Sequence, residues 1–121
     1  MKSEQSPITR YEPGPRYCRA VAHSDTLYLA GMTADDKTGD IASQTQAVLD
    51  KIDHYLQMGG SNRSRLLSVT IWLADIGDFD AMNRVWEAWI DHEAMPVRAT
   101  VQALGTGDNC LIEIMATAAL A

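Results

Sequence analysis

Residues 66–74 read Leu-Leu-Ser-Val-Thr-Ile-Trp-Leu-Ala and lie near the middle of a chain of 121 residues. The stretch is rich in β-branched, aromatic and aliphatic side chains, which predicts a β-strand. Successive side chains of a strand point to opposite faces, and here both alternating sets are largely apolar. This strand is therefore expected to lie inside a sheet that is covered on both faces.

An amphipathic helix is predicted on each side of this strand. Before it, Ser43 and Gln46 fit a capping box and Gly59-Gly60 supplies the end of the helix. After it, Asp78 is the predicted cap of a second helix that runs to Ile90. The apolar positions that predict the two buried stripes are Val48, Ile52, Tyr55 and Leu56, then Phe79, Met82, Val85, Trp86, Trp89 and Ile90.

The remaining strands complete the predicted order ββ-α-β-α-ββ. Residues 17–23 and 26–30 form a hairpin, and residues 98–103 and 110–118 flank a Gly-rich turn. Residues 1–13 are interpreted as an extended N-terminal lead-in to a single domain that spans residues 1–121. This order predicts an α/β (α+β) fold, a mixed sheet that carries two helices on one face.

The apolar pattern of the strands also predicts an oligomer. Two short helices can cover only one face of the sheet, and the face that carries Trp72 needs another cover. Since no further segment of the chain is left to supply it, we expect a second subunit to do so.

Composition excludes several classes of protein. Hydrophobic residues make up 46% and charged residues 21% of the chain, which is the ordinary globular mixture. The net charge of -6 argues against nucleic-acid binding. No apolar run approaches the ~20 residues of a membrane span, and the start lacks the apolar core of a signal peptide. A cytoplasmic protein with two free thiols, Cys18 and Cys110, is therefore expected.

The sequence offers no pattern for a metal or an organic cofactor, and we expect neither. His23, His54 and His92 are far apart and lack metal-ligand spacing. The acidic loop at residues 35–40 lacks the ligand order of a calcium loop, and the glycines at 105 and 107 lack the context of a phosphate loop.

Two charged residues in apolar strands are the candidate site. Glu113 lies within an apolar run, and Arg98 opens the preceding strand directly after Pro96-Val97. Buried charge is expensive unless it is paired or used, and a hairpin of the last two strands would bring the two residues near one another. One reading is a structural ion pair. The other is an arginine fork for a substrate carboxylate beside a carboxylate that holds water.

Several ordered motifs match a known family over nearly the whole chain from about Gly14. They include Gly-Pro-Arg-Tyr-Cys-Arg-Ala-Val at residues 14–21, Thr-Leu-Tyr-Leu-Ala-Gly at 26–31, Pro-Val-Arg-Ala-Thr-Val at 96–101 and Ile-Glu-Ile at 112–114. In these the sequence resembles the Rid/YjgF family, which also carries the label L-PSP endoribonuclease, and especially its YoaB-like branch.

The resemblance implies a chorismate-mutase-like fold and a homotrimer, with the sheets packed into a central barrel and clefts between subunits. Active members of the family hydrolyse reactive enamines and imines such as 2-aminoacrylate to a 2-keto acid and ammonia. They need no metal and no organic cofactor. The implied partners are therefore a small-molecule imine, enamine or 2-keto acid and further copies of the chain.

The same resemblance assigns roles to residues. Arg98 matches the arginine that holds the substrate carboxylate, and Glu113 matches the glutamate that positions the attacking water. Tyr17 matches a tyrosine of the cleft, and Gly31 matches a glycine whose backbone lies along the pocket.

Other substrate-contacting positions depart from the family. The family often has Ser or Thr where this chain has Ala30, Cys in some members at Thr100, and a second glutamate at Met115. Arg16 and Arg19 flank the cleft tyrosine and either reach the cleft or lie at the surface.

Two other functions remain open at this point. One is a metabolite-binding trimer without catalysis, in which the arginine holds a carboxylate and the assembly signals to a partner. The other is the endoribonuclease of the family label, against which the acidic net charge argues.

Overall fold

The computed structural model describes residues 6–105 and 107–121. Its helices are α1 (Ile41–Met58) and α2 (Phe79–Trp89), and short 3₁₀ turns span Arg63–Arg65 and Ile76–Asp78. Its strands are β1 (Ile8–Pro13), β2 (Cys18–His23), β3 (Thr26–Leu29), β4 (Leu66–Leu73), β5 (Val97–Gln102) and β6 (Ile112–Ala119).

The strands form one six-stranded sheet in the order β1-β2-β3-β6-β4-β5. β4 and β5 pair in parallel, and the other neighbours pair antiparallel. A parallel pair requires a crossover, which α2 provides between β4 and β5. The predicted mixed sheet with two helices on one face is therefore confirmed, and β4 lies inside the sheet as expected.

One face of the sheet, the covered face, carries both helices and the apolar core. Alternate residues of β4 point into it, and Ile71 and Leu73 are fully buried there. From the helices, Leu49 and Met82 are also fully buried against the sheet. This packing explains why apolar residues recur about every 3.6 positions in each helix and at every second position in the strands.

The opposite face of the sheet, the open face, exposes large apolar side chains. Tyr28, Val101 and Met115 are 46%, 44% and 45% exposed, and Trp72 is half-buried. In the covered face the corresponding positions are almost inaccessible. The contrast agrees with the expectation that this face has a cover from outside the single chain.

The extended lead-in is a strand, so the predicted order lacks one element. Ile8–Pro13 pairs antiparallel with β2, from Ile8 opposite His23 to Pro13 opposite Cys18. Proline is tolerated here because β1 is an edge strand and Pro13 is its last residue. Residues 1–5 of the lead-in lie outside the described part of the chain.

The predicted start of α1 is also wrong. The helix begins at Ile41, and its cap is Asp40, whose carboxylate accepts a hydrogen bond from the Ser43 N–H at 2.9 Å. Ser43 lies inside the helix, so Ser43 and Gln46 form no capping box. Gly59 ends the helix as predicted. At α2, Asp78 occupies the cap position, but its side chain makes no capping hydrogen bond.

The last two strands form no hairpin with each other. β4 lies between β5 and β6 and pairs with both of them. The Gly-rich segment therefore connects two strands across a third one. The local sequence resembles a hairpin turn, but the crossover through α2 places β5 on the far side of β4.

No helix in the described part of the chain is long and apolar enough to cross a membrane. Within residues 6–105 and 107–121, no three His, Cys, Asp or Glu side chains group in a way that could hold a metal ion.

Candidate functional site

A cleft of about 570 Å³ lies at the open face beside β2, β3 and β6. Because Glu113 contributes its acid group, we name this space the Glu113 cleft. Its lining includes Tyr17, Arg19, Tyr28, Ala30, Gly31 and Glu113. Four of these residues, Glu113, Tyr17, Gly31 and Ala30, are predicted site residues that the fold brings together.

Glu113 reaches the cleft from the middle of the sheet. It pairs with Trp72 of β4, and its neighbours Ile112 and Ile114 point into the core, so its own side chain points to the open face. The carboxylate lies over Gly31, in the space that a Cβ at position 31 would fill. A side chain at position 31 would displace the carboxylate from this place. None of the ion pairs among the described residues includes Glu113.

The backbone around Gly31 is fixed from both sides. The N–H of Met32 donates to the carbonyl of Ile114 at 2.8 Å, and the N–H of Ile114 donates back to Met32 at 3.0 Å. The N–H of Ala30 donates to the carbonyl of Arg19 at 2.9 Å. These bonds extend the β3 pairing past its last residue and hold the floor of the cleft in place.

Tyr17 stands at the rim of the Glu113 cleft. Its side chain is 56% exposed, and the guanidinium of Arg19 lies 5.5 Å from the centre of its ring. This distance is within the range of a cation–π contact. Arg16, in contrast, is exposed and lines a smaller neighbouring cavity, so Arg19 is the member of this pair that lines the cleft.

Arg98 lies in a second space, of about 400 Å³, between β5 and α2. We call it the Arg98 cavity. The guanidinium lies 5.2 Å from the ring of Trp86 and 5.8 Å from the ring of Phe79, so aromatic faces of α2 hold it. Burial lowers the pKa of Arg98, and nearby Glu87 opposes this shift. The side chain remains a cation with a planar fork.

The expected proximity of Arg98 and Glu113 within one chain is wrong. Arg98 pairs with Val69, which points into the core, whereas Glu113 pairs with Trp72 on the open face. Cross-strand partners share a face, so the two charges emerge on opposite faces of the sheet. The two spaces have no lining residue in common among those described. An intramolecular ion pair is therefore excluded.

Thr100 belongs to the Arg98 side of the sheet. It pairs with Ile71, two residues beyond the register position of Arg98, and so points to the covered face. Its hydroxyl oxygen is buried and finds no hydrogen-bond partner among the described residues.

The contact of the Arg98 guanidinium with two aromatic rings of α2 was not predicted from the sequence. Trp86 and Phe79 are recognisable as members of the apolar stripe of α2, but their contact with the guanidinium depends on how α2 packs over β5. An arginine that opens a strand after an aromatic amphipathic helix is the only sequence signal for this contact.

Comparisons with known proteins agree with this fold and show the family. A family model described as Endoribonuclease L-PSP matches residues 7–120. The chain is 40% identical over 113 residues to the RutC family protein YoaB of Escherichia coli, which covers 93% of this chain and 98% of that protein. A RutC family protein of Haemophilus ducreyi is 35% identical, over 93% of this chain and 97% of that one. The crystal structure of a YjgF family member from Neisseria meningitidis superposes with a TM-score of 0.94 at 34% identity, covering 98% of each chain.

The fold therefore places the chain among small α/β proteins in which two helices cover one face of a mixed sheet and the other face carries a cleft with an acidic side chain. Within that class, the chain belongs to the L-PSP endoribonuclease family, also called the Rid/YjgF family, and its relatives include the RutC family protein YoaB.

Proposed function

We propose that this protein is a cofactor-independent deaminase that hydrolyses 2-imino acids and their enamine tautomers to 2-keto acids and ammonia. We further propose that it works as a homotrimer in the cytoplasm, in clefts between subunits. The observation that carries the proposal is the carboxylate of Glu113, which lies over Gly31 in an open cleft with no ion-pair partner among the described residues. Two free cysteines are compatible with a reducing compartment.

The reaction needs a held substrate and one positioned water. The fork of Arg98 binds the substrate carboxylate through two parallel hydrogen bonds. Glu113 accepts a hydrogen bond from a water and takes its proton as the oxygen adds to the imine carbon. Glu113 then returns this proton to the nitrogen of the tetrahedral intermediate. The C–N bond breaks as the hydroxyl oxygen becomes the carbonyl oxygen and gives its own proton to Glu113, and a keto acid and ammonia leave. Glu113 releases that proton to the ammonia or to solvent and is a carboxylate again. A protonated imine is already electrophilic, so proximity supplies most of the assistance.

The separation of the two charges supports a site between subunits. Within one chain Arg98 and Glu113 point to opposite faces, so one substrate cannot contact both of them. Arg98 lies on β5 at the edge of the sheet, where a neighbouring copy can approach. The exposed apolar residues of the open face give that copy a surface to bury.

Semicarbazide trapping tests the activity. A threonine dehydratase supplies the imine, and keto-acid release is followed with and without the protein. We expect Arg98→Ala to lower kcat/KM by about 100-fold, the equivalent of two charge-assisted hydrogen bonds of about 1.5 kcal/mol each. Glu113→Gln is expected to lower kcat by about 10²- to 10⁴-fold.

Arg84→Ala is the matched control, because Arg84 is an exposed arginine on α2 that does not line the Arg98 cavity. It is expected to behave as wild type. If wild type releases keto acid no faster than Arg98→Ala, the deaminase proposal fails. Hydrolysis of single-stranded RNA that follows the protein peak through two columns would instead favour the activity in the family's description.

A further inference from the structure

The Glu113 cleft contains a cation of its own, Arg19. Alternate residues of β2, Ala20 and Ala22, are buried in the core, so Arg19 projects toward the open face. Its carbonyl accepts the hydrogen bond from Ala30, which fixes its backbone at the floor of the cleft. The side chain is half-buried and lines the same space as Glu113.

Arg19 and Glu113 stand at opposite sides of this cleft. One strand, β3, separates β2 from β6, and neighbouring strands are about 4.8 Å apart, which puts the two backbones about 10 Å apart across the sheet. The cleft of about 570 Å³ that both side chains line has room for a small-molecule ligand. A substrate whose reacting carbon lies at Glu113 would direct its own side chain toward Arg19.

No carboxylate forms an ion pair with Arg19 within the described residues, and its charge acts only as a minor cause of the lowered pKa of Asp35, which is paired with Lys51. The ion pairs there join Lys51 to Asp35 and Arg63 to Asp53. The guanidinium lies over the ring of Tyr17, which attracts a cation but satisfies none of its hydrogen bonds. In a protein of net charge -6, an unpaired arginine beside a cleft is a local site for an anion.

We propose that Arg19 binds a second anionic group of the substrate, so that this protein prefers 2-imino dicarboxylates to 2-imino acids with neutral side chains. The inference rests on the proposed deaminase function for the place of the reacting carbon. Arg98 of a neighbouring copy holds the carboxylate next to the imine, and Glu113 holds the water. Arg19 takes no part in bond making or breaking, and it acts on specificity.

A matched pair of substrates tests this preference. An amino-acid oxidase generates the imines of glutamate and of norvaline, which have the same five-carbon chain with and without the second carboxylate. In wild type we expect kcat/KM to be about tenfold higher for the dicarboxylate, the effect of one charge-assisted hydrogen bond. Arg19→Gln is expected to bring the ratio to about 1, and Arg19→Lys to keep part of it.

Arg16→Gln removes the same charge two residues earlier in the sequence, at an exposed position outside the cleft lining. It is expected to keep the tenfold ratio. An equal loss of the ratio in Arg16→Gln and Arg19→Gln would show general attraction by surface charge and would overturn the assignment to Arg19.

Calorimetry with the stable products gives a readout that needs no turnover. We expect 2-oxoglutarate to bind wild type about tenfold more tightly than 2-oxopentanoate, and Arg19→Gln to remove that difference. If the norvaline imine is hydrolysed but neither readout depends on Arg19, the second-anion site is wrong and the deaminase proposal stands. If no imine is hydrolysed but product binding depends on Arg19, the deaminase proposal is wrong and the anion site stands.

Discussion

The two faces of the sheet differ in how completely the single chain buries their apolar side chains. On the covered face, α1 and α2 reduce the exposure of Ile71 and Leu73 to zero. On the open face, apolar residues such as Val101 and Met115 remain almost half exposed on strands from the same sheet. The same residue types therefore form a buried core on one face and an exposed apolar surface on the other.

The candidate site is divided in the same way. Arg98 is held on the covered side by the rings of α2, and Glu113 is presented on the open side over Gly31. A site that needs both residues cannot be completed by one chain. Under the proposed function, assembly and activity depend on the same surface, so changes to the open face should affect both of them.

The largest expected effect comes from Met115→Lys on the open face. A charge at this position opposes burial of the face against another copy, so the oligomer should dissociate and activity should be lost. The monomer should stay folded, because the covered face is unchanged. Light scattering measures the mass and circular dichroism the fold. Gln57→Lys, on the exposed side of α1, adds the same charge as a control and should leave the assembly intact.

On the covered face, Ile71→Ala should destabilise the fold by about 2–5 kcal/mol, because it leaves a cavity at a fully buried position. Val101→Ala is the matched change on the neighbouring strand of the open face, and its effect should depend on protein concentration through assembly. Urea unfolding at two concentrations measures both. A concentration-independent loss of similar size at Val101 would contradict the distinction between the faces.

Mixing two inactive variants tests the division of the site directly. In a random equal mixture of Arg98→Ala and Glu113→Gln subunits, about one quarter of the sites would combine the intact arginine of one copy with the intact glutamate of its neighbour. Activity should therefore rise to about a quarter of wild type after the subunits are exchanged. Activity that stays at the level of the separate variants would place both residues of each site in the same chain and contradict the proposal.

Much of the covered face is predictable from sequence because its signals are local. The apolar composition of residues 66–74 and the stripes of the two helices identify elements without knowledge of their partners. β1 has no such signal, because its residues are mostly exposed and it carries a proline at its end. Its pairing with β2 is a tertiary contact that no local pattern reports.

The residues of the candidate site were also easier to predict than their arrangement. Arg98 and Glu113 stand out as charges in apolar strands, and a family resemblance supports both of them. Their relation depends on the order of the strands, and a Gly-rich connection between the last two strands favours the wrong hairpin. The sheet order places β4 between their strands and puts the two charges on opposite faces, so they form no ion pair within the chain.

The smallest predicted effect concerns the N-terminal cap of α1, one of the two helices that cover the sheet. The Asp40 carboxylate accepts a hydrogen bond from the N–H of Ser43, and this bond is the largest cause of the lowered pKa of the Asp40 carboxyl. The pKa of this carboxyl is therefore lower in the folded chain than in the unfolded chain. At pH values above its ordinary pKa the ionised carboxylate stabilises the fold, and this stabilisation is lost as the pH falls through the lowered pKa.

Asp40→Ala should therefore lower Tm by a small amount at pH 7, and the difference from wild type should shrink under acidic conditions. Asp40→Asn keeps a capping oxygen without the charge, so it should retain most of the Tm at neutral pH. Ser43→Ala should have less effect than Asp40→Ala, because the backbone N–H of residue 43 still donates to the cap. Thermal unfolding between pH 3 and pH 7 distinguishes these outcomes. If Ser43→Ala destabilises more than Asp40→Ala, the capping box at Ser43 is correct and the cap at Asp40 is wrong.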